Sequence, residues 1–176
     1  MPKTKFQGVI FGILMSIIMA YGMEVFNVAH KLGYSTMPGG FSNMTNHVFY
    51  EALIEASFMW IFVFIFSNLW GNRIGHGLAA KLIDPKKDNP FFCTLVISGC
   101  TVLIMCPTMS AVAAILFNII MGGAPVSQFP AIWIGTVLKN FPMALLWNLF
   151  AAGPITRFTF RKLFAERKSA AMGETA

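Results

Sequence analysis

The chain has 176 residues, is 56% hydrophobic and 11% charged, and carries a net charge of +6. Soluble domains hold about twice that share of charge, and 18 phenylalanines with 12 methionines are more than one small soluble core could hide. A nucleic-acid partner is excluded too, because the basic residues sit at the ends of apolar runs instead of forming a stripe interleaved with aromatics.

Runs of roughly 18 or more apolar residues read as membrane spans, and four of them predict an all-α integral membrane four-helix bundle. Span one runs from about Phe6 to Val28 behind Lys3 and Lys5. It is read as a span and not a signal peptide, because the apolar run reaches Gly22-Met23 without a small-x-small cleavage site. Gly8, Gly12, Ser16 and Ala20 recur every four residues and end at Glu24, a slanted seam for a close helix neighbour. Residues 29–48 form the longest polar loop, with a turn at Pro38-Gly39-Gly40. A glycosylation sequon at Asn43-Met44-Thr45 is too short to carry weight.

Span two runs from about Phe49 to Gly71 and continues as a basic helical segment from Asn72 to Ile83. A polar turn, Asp84 to Pro90, leads to span three, Phe91 to Met121, which is too long for a straight crossing. It is expected to tilt or to break near Pro107. Cys93, Cys100 and Cys106 lie inside this run without metal-type spacing and read as small packing residues. Span four, Phe129 to Ile155, is expected to close at Gly153-Pro154 and to contain a helix break at Pro142. A second basic amphipathic segment follows, Thr156 to Lys168, and then a disordered tail, 169–176.

The basic residues fix an orientation. Lys3, Lys5, Arg73, Lys81, Lys86, Lys87, Arg157, Arg161, Lys162, Arg167 and Lys168 fall on one side, against Lys31 on the other. Both termini are therefore expected to be cytoplasmic. A repeat is also visible. Phe6, Ile18, Met19 and Met23 match Phe92, Ile104, Met105 and Met109 at a constant offset of 86, with Gly12 and Ala20 facing Ser98 and Cys106. Lys81-Leu82 matches Lys162-Leu163 at an offset of 81. The chain then divides into two helix pairs, 1–89 and 90–168, each with an inner basic segment and related by an axis along the membrane normal.

The candidate site is built from charge inside the spans. Counting 1.5 Å per residue from the inner basic anchors puts Glu24 about 28 Å up, and Glu55 and Lys139 about 27 Å up. Two acids and a base thus share one layer near the outer edge of the hydrocarbon. In the bland reading these side chains snorkel to the headgroups. In the sharper one, Lys139 pairs with Glu24 or Glu55 in a pocket that the Asn140 amide completes, and a carboxylate there carries protons. A third candidate, zinc on His30, His47 and Glu51, rests on two ligands at i, i+4 with no motif. His76 is expected to contact headgroups. Neither a nucleophilic triad nor a phosphate or dinucleotide fingerprint is present, so no enzyme, cofactor or metal is expected.

The segments MPKTKFQGVIFGILMSIIMAYGMEVFN, MCPTMS and NFPMALLWNLFAAGPITRFTFRKLF resemble the bacterial membrane family called domain of unknown function 2798, over nearly the whole chain from Met1 to Phe164. The resemblance implies paired transmembrane helices and no established activity. A looser similarity in architecture is to the proteobacterial antimicrobial compound efflux family, which also has two tandem helix pairs and a functional glutamate in its first span. Glu24 is the nearest counterpart, although that family's Arg-x-x-His and Phe-Glu signatures are absent from span one.

The sequence therefore leads to a multi-pass protein of the bacterial inner membrane, embedded in lipid and expected to be a homo-oligomer. The leading function is a small transporter, proton-coupled through Glu24 or Glu55, with Glu24, Glu55, Lys139 and Asn140 as binding residues and an unknown small-molecule substrate. The alternative is a non-catalytic accessory or scaffold protein whose basic inner helices bind anionic lipid or a cytoplasmic partner.

Overall fold

The computed structural model describes residues 4–84 and 87–173, with side chains as far as Phe164. Among these residues there are helices and no strands. Helix α1 spans Lys5–Lys31, α2 His47–Phe66, α3 Asn72–Leu82, α4 Pro90–Ala113, α5 Phe129–Trp147 and α6 Gly153–Gly173. Three π-helical stretches extend them: Ser67–Gly71 joins α2 to α3, Ala114–Ile120 prolongs α4, and Asn148–Ala152 joins α5 to α6. Four of the resulting rods are long and apolar enough to cross a membrane: Lys5–Lys31, His47–Leu82, Pro90–Ile120 and Val126–Phe164.

Local chemistry sets the ends. The Thr4 side chain caps α1 by accepting from the Gln7 amide at 3.2 Å. At its other end Gly33, at φ +83°, takes the left-handed position after the helix. The Tyr34 amide then reaches back to the Ala29 carbonyl. Asn89 caps α4 from just before Pro90, whose ring suits the first helical turn. Large apolar side chains such as Leu53, Ile61, Leu103, Leu138 and Phe150 face outward, as a lipid-facing surface requires.

The packing is cyclic. Helix α1 lies along α2, α3 on α4, α4 along α5, and α6 returns to α1. Close approach depends on small residues. A Cβ on Gly75 would stand 2.7 Å from the Thr101 Cα, and one on Gly22 would overlap the Trp147 indole. That indole lies across α1 and donates to the Ile18 carbonyl at 3.0 Å, tying the last rod to the first.

Several positions recur between the two halves at constant spacings. The π-helical joins Ser67–Gly71 and Asn148–Ala152 lie 81 residues apart, the spacing that relates Lys81-Leu82 to Lys162-Leu163. The buried residues Ser16, Ala20, Glu24 and Val28 of α1 correspond at 86 to the buried Val102, Cys106, Ser110 and Ala114. Gly71, Gly75 and Ala79 correspond at 81 to the buried Ala152, Thr156 and Phe160.

Four details differ from the sequence reading. Span three does not break at Pro107, nor span four at Pro142: both prolines lie inside continuous α-helix, and the wider winding comes further along. A neighbouring rod contacts the chain at the first of these, where Trp133 Nε1 donates to the Pro107 carbonyl at 2.9 Å. Gly153-Pro154 does not close span four but opens α6 directly after the π-helical turn. The loop is shorter than expected because α1 continues to Lys31. Residues 169–173 continue the α6 backbone, and the rest of the expected tail, 174–176, lies outside the described residues. So do Lys3, Lys86 and the side chains of Arg167 and Lys168.

Candidate functional site: two cavities that share a buried glutamate

Helix α1 carries Glu24 and Asn27 inward, one turn apart, on the face that packs against the other rods. Glu24 is 3% exposed. Two cavities meet at this pair. The larger, about 320 Å³, is polar and is bordered by Glu24, Asn27, Lys31, Glu55, Thr136 and Lys139, with His30 and Asn118 at its edge. The smaller, about 80 Å³, is apolar and methionine-rich, and Glu24, Asn27 and Asn140 also border it.

The structure thus brings Glu24, Glu55 and Lys139 around one cavity, and places Asn140 on the adjoining one. The pairing differs from expectation. Glu55 pairs with Lys31 at 3.1 Å, and Lys139 makes no ion pair among the described residues. Lys31 ends α1 and reaches across to α2, whereas Lys139 borders the larger cavity together with Glu24. His47 and Glu51 form their own exposed pair at 3.4 Å. His30 instead packs between Phe26 and Phe41, with its Nδ1 3.1 Å from the Phe26 carbonyl oxygen. Among the described residues no three His, Cys, Asp or Glu side chains gather as a metal site would require. His76 is exposed on α3.

The smaller cavity lies where the two halves face each other. Its lining falls into equivalent pairs: Met19 with Met105, Ala20 with Cys106, Met23 with Met109, Glu24 with Ser110 and Asn27 with Ala113, all at 86. At 81 come Met59 with Asn140 and Val63 with Ala144. Sequence reasoning did not single out Asn27, Ser110 or Met59, and read Cys106 as packing alone. The offsets held the signal, since they already aligned Met19 with Met105 and Met23 with Met109.

Three buried oxygens have no hydrogen-bond partner among the described residues: Glu24 Oε2, Asn27 Oδ1 and Asn140 Oδ1. All three are acceptors, and all three residues border the methionine-rich cavity. A site of this kind asks for something electropositive.

Four long apolar rods, with a polar and an apolar cavity bordered by them, define a multi-span helical membrane protein. Within its second pair, residues 86–164 match the family described as "Domain of unknown function (DUF2798)". The resemblance read from the sequence is thus found, over that pair. The chain is also similar to "Uncharacterized protein YybC" of Bacillus subtilis (strain 168), 27% identical over 98% of this chain and the whole of that protein. No solved structure matches.

Proposed function

We propose that this protein is a small transporter of the bacterial cytoplasmic membrane, with Glu24 as its central ion-carrying group. The observation that supports this reading is the position of Glu24, a buried carboxylate bordering both a polar and an apolar cavity. A carboxylate inside a span is costly, and such groups mark ion and substrate paths. By the positive-inside rule both termini are cytoplasmic, and the polar cavity then opens toward the outer side. Lys31 and Glu55 guard that opening, and Lys139 supplies countercharge. Self-association would thicken a wall only four rods wide.

The test is proton movement in proteoliposomes carrying an internal pH-sensitive dye, driven by an imposed membrane potential. The parent protein is expected to exceed protein-free vesicles, and Glu24→Gln to lose at least about tenfold, the scale of one strong polar interaction. Equal rates for parent, Glu24→Gln and empty vesicles would overturn the reading.

A second reading rests on a separate observation. Arg73 and Lys81 on α3, and Arg157, Arg161 and Lys162 on α6, are all exposed. As an accessory or scaffold protein, the chain would use these two basic helices on anionic lipid or a cytoplasmic partner. Reversing the three α6 charges would then weaken function more than any change at Glu24.

A further inference from the structure

We infer that the smaller cavity is a binding site for an alkali-metal cation such as Na⁺, held by oxygens of Glu24, Asn27 and Asn140. This deepens the transport reading by naming the ion that its site takes, and rests on that reading only for the claim that binding is linked to movement.

The three partnerless oxygens, two on α1 and one on α5, belong to residues that border one cavity. Glu24 and Asn140 are 3% and 5% exposed, so bulk water does not meet their need. Leaving buried acceptors without a donor is costly, on the order of 1–3 kcal/mol each. A proton on Glu24 would satisfy one of them. The resulting O–H could then donate to one amide oxygen, but the other, which does not titrate, would still lack a partner. A metal cation, unlike a proton, can accept lone pairs from several oxygens, and all three residues border the space that would hold it. The Ser110 hydroxyl, the positional equivalent of Glu24, borders the same space and offers a further oxygen.

Charge and size narrow the class. Glu24 is the one carboxylate bordering this cavity, and the Lys139 ammonium already lies on the adjoining one, so no more than a single added positive charge is called for. Calcium takes six to eight oxygens, with several carboxylates among them. The cavity is about 80 Å³, against the ~150 Å³ that holds benzene, so a drug-sized organic cation does not fit. The surrounding methionines supply a dry wall, which strengthens the attraction between carboxylate and cation. They also supply sulfurs, which makes a soft metal such as Ag⁺ the natural competitor.

The experiment is equilibrium binding of ²²Na⁺ to the full chain purified in detergent, with choline as the inert replacement cation. Saturable binding is expected, displaced by unlabelled Na⁺ and not by choline. Affinity should fall at least tenfold in Glu24→Gln and in Asn140→Leu, a near-isosteric change that removes the amide. His47→Ala, on the exposed end of α2, should bind as the parent does. If Asn140→Leu fails to fold, Asn27→Ser keeps a small polar group and should still lower affinity. No Na⁺ or K⁺ binding overturns the inference, as does binding unchanged in the Asn27 and Asn140 variants. Tight Ag⁺ binding without Na⁺ binding overturns it in favour of the sulfurs. ²²Na⁺ binding without flux in proteoliposomes would remove the transport reading and keep the site, and flux without binding would do the reverse.

Discussion

The first helix pair and the second are built on one plan, yet they differ where they face each other. At equivalent positions α1 offers Glu24 and Asn27, while α4 offers Ser110 and Ala113. Glu55 of α2 corresponds to Thr136 of α5, and Met59 corresponds to Asn140. Likeness between the halves creates an enclosed space, since the same small and flexible residues recur on both sides. Unlikeness gives that space its chemistry. A symmetric version would place two carboxylates or none around the small cavity, and neither would suit a single monovalent ion.

The largest effect should come from breaking the closure between the halves. Gly22→Val would drive a branched side chain into the Trp147 indole. Overpacking of this sort costs about 1–3 kcal/mol or more, and the thermal unfolding midpoint of the purified protein is expected to drop markedly. An unchanged midpoint would mean that Trp147 does not seal the bundle. A more moderate effect, and a sharper test of the comparison, comes from moving the carboxylate across the axis. Glu24→Ser alone should abolish ion binding, and adding Ser110→Glu should restore a measurable part of it. Failure of that rescue, with both proteins folded, would show that the halves are alike in packing but not in electrostatics.

The smallest effect should come from the polar rim. Lys31 is 59% exposed where it meets Glu55, and such surface pairs contribute about 0–1 kcal/mol. Lys31→Met is therefore expected to shift the unfolding midpoint little, while altering the salt dependence of ion entry to the larger cavity. A large loss of stability would show the pair to be shielded from solvent.

Much of this was legible beforehand because membrane insertion writes itself in composition. The expected join between Gly71 and Asn72 is where the π-helical turn ends and α3 begins. Counting residues from the basic anchors placed Glu24, Glu55 and Lys139 at one level, and one cavity touches all three. The partner of Glu55 could not be read this way. Lys31 was assigned to a loop, and only the continuation of α1 through it brings its ammonium to α2. The prolines misled for a related reason. Their local cost is a missing amide hydrogen, but whether the rod breaks depends on the surrounding packing, which sequence does not place. Asn27 went unnoticed because an amide one turn beyond a glutamate has no motif, and its meaning depends on the second half arriving opposite.

The indole bridge from Trp147 to Ile18 spans 129 residues of chain. On a ribosome this latch cannot fasten until synthesis has passed Trp147, well into the second pair. Until then the nascent first pair waits in the lipid with its ionisable flank uncovered. Its maturation is timed by translation of its own sister segment, so a truncated product would be left seeking a substitute cover.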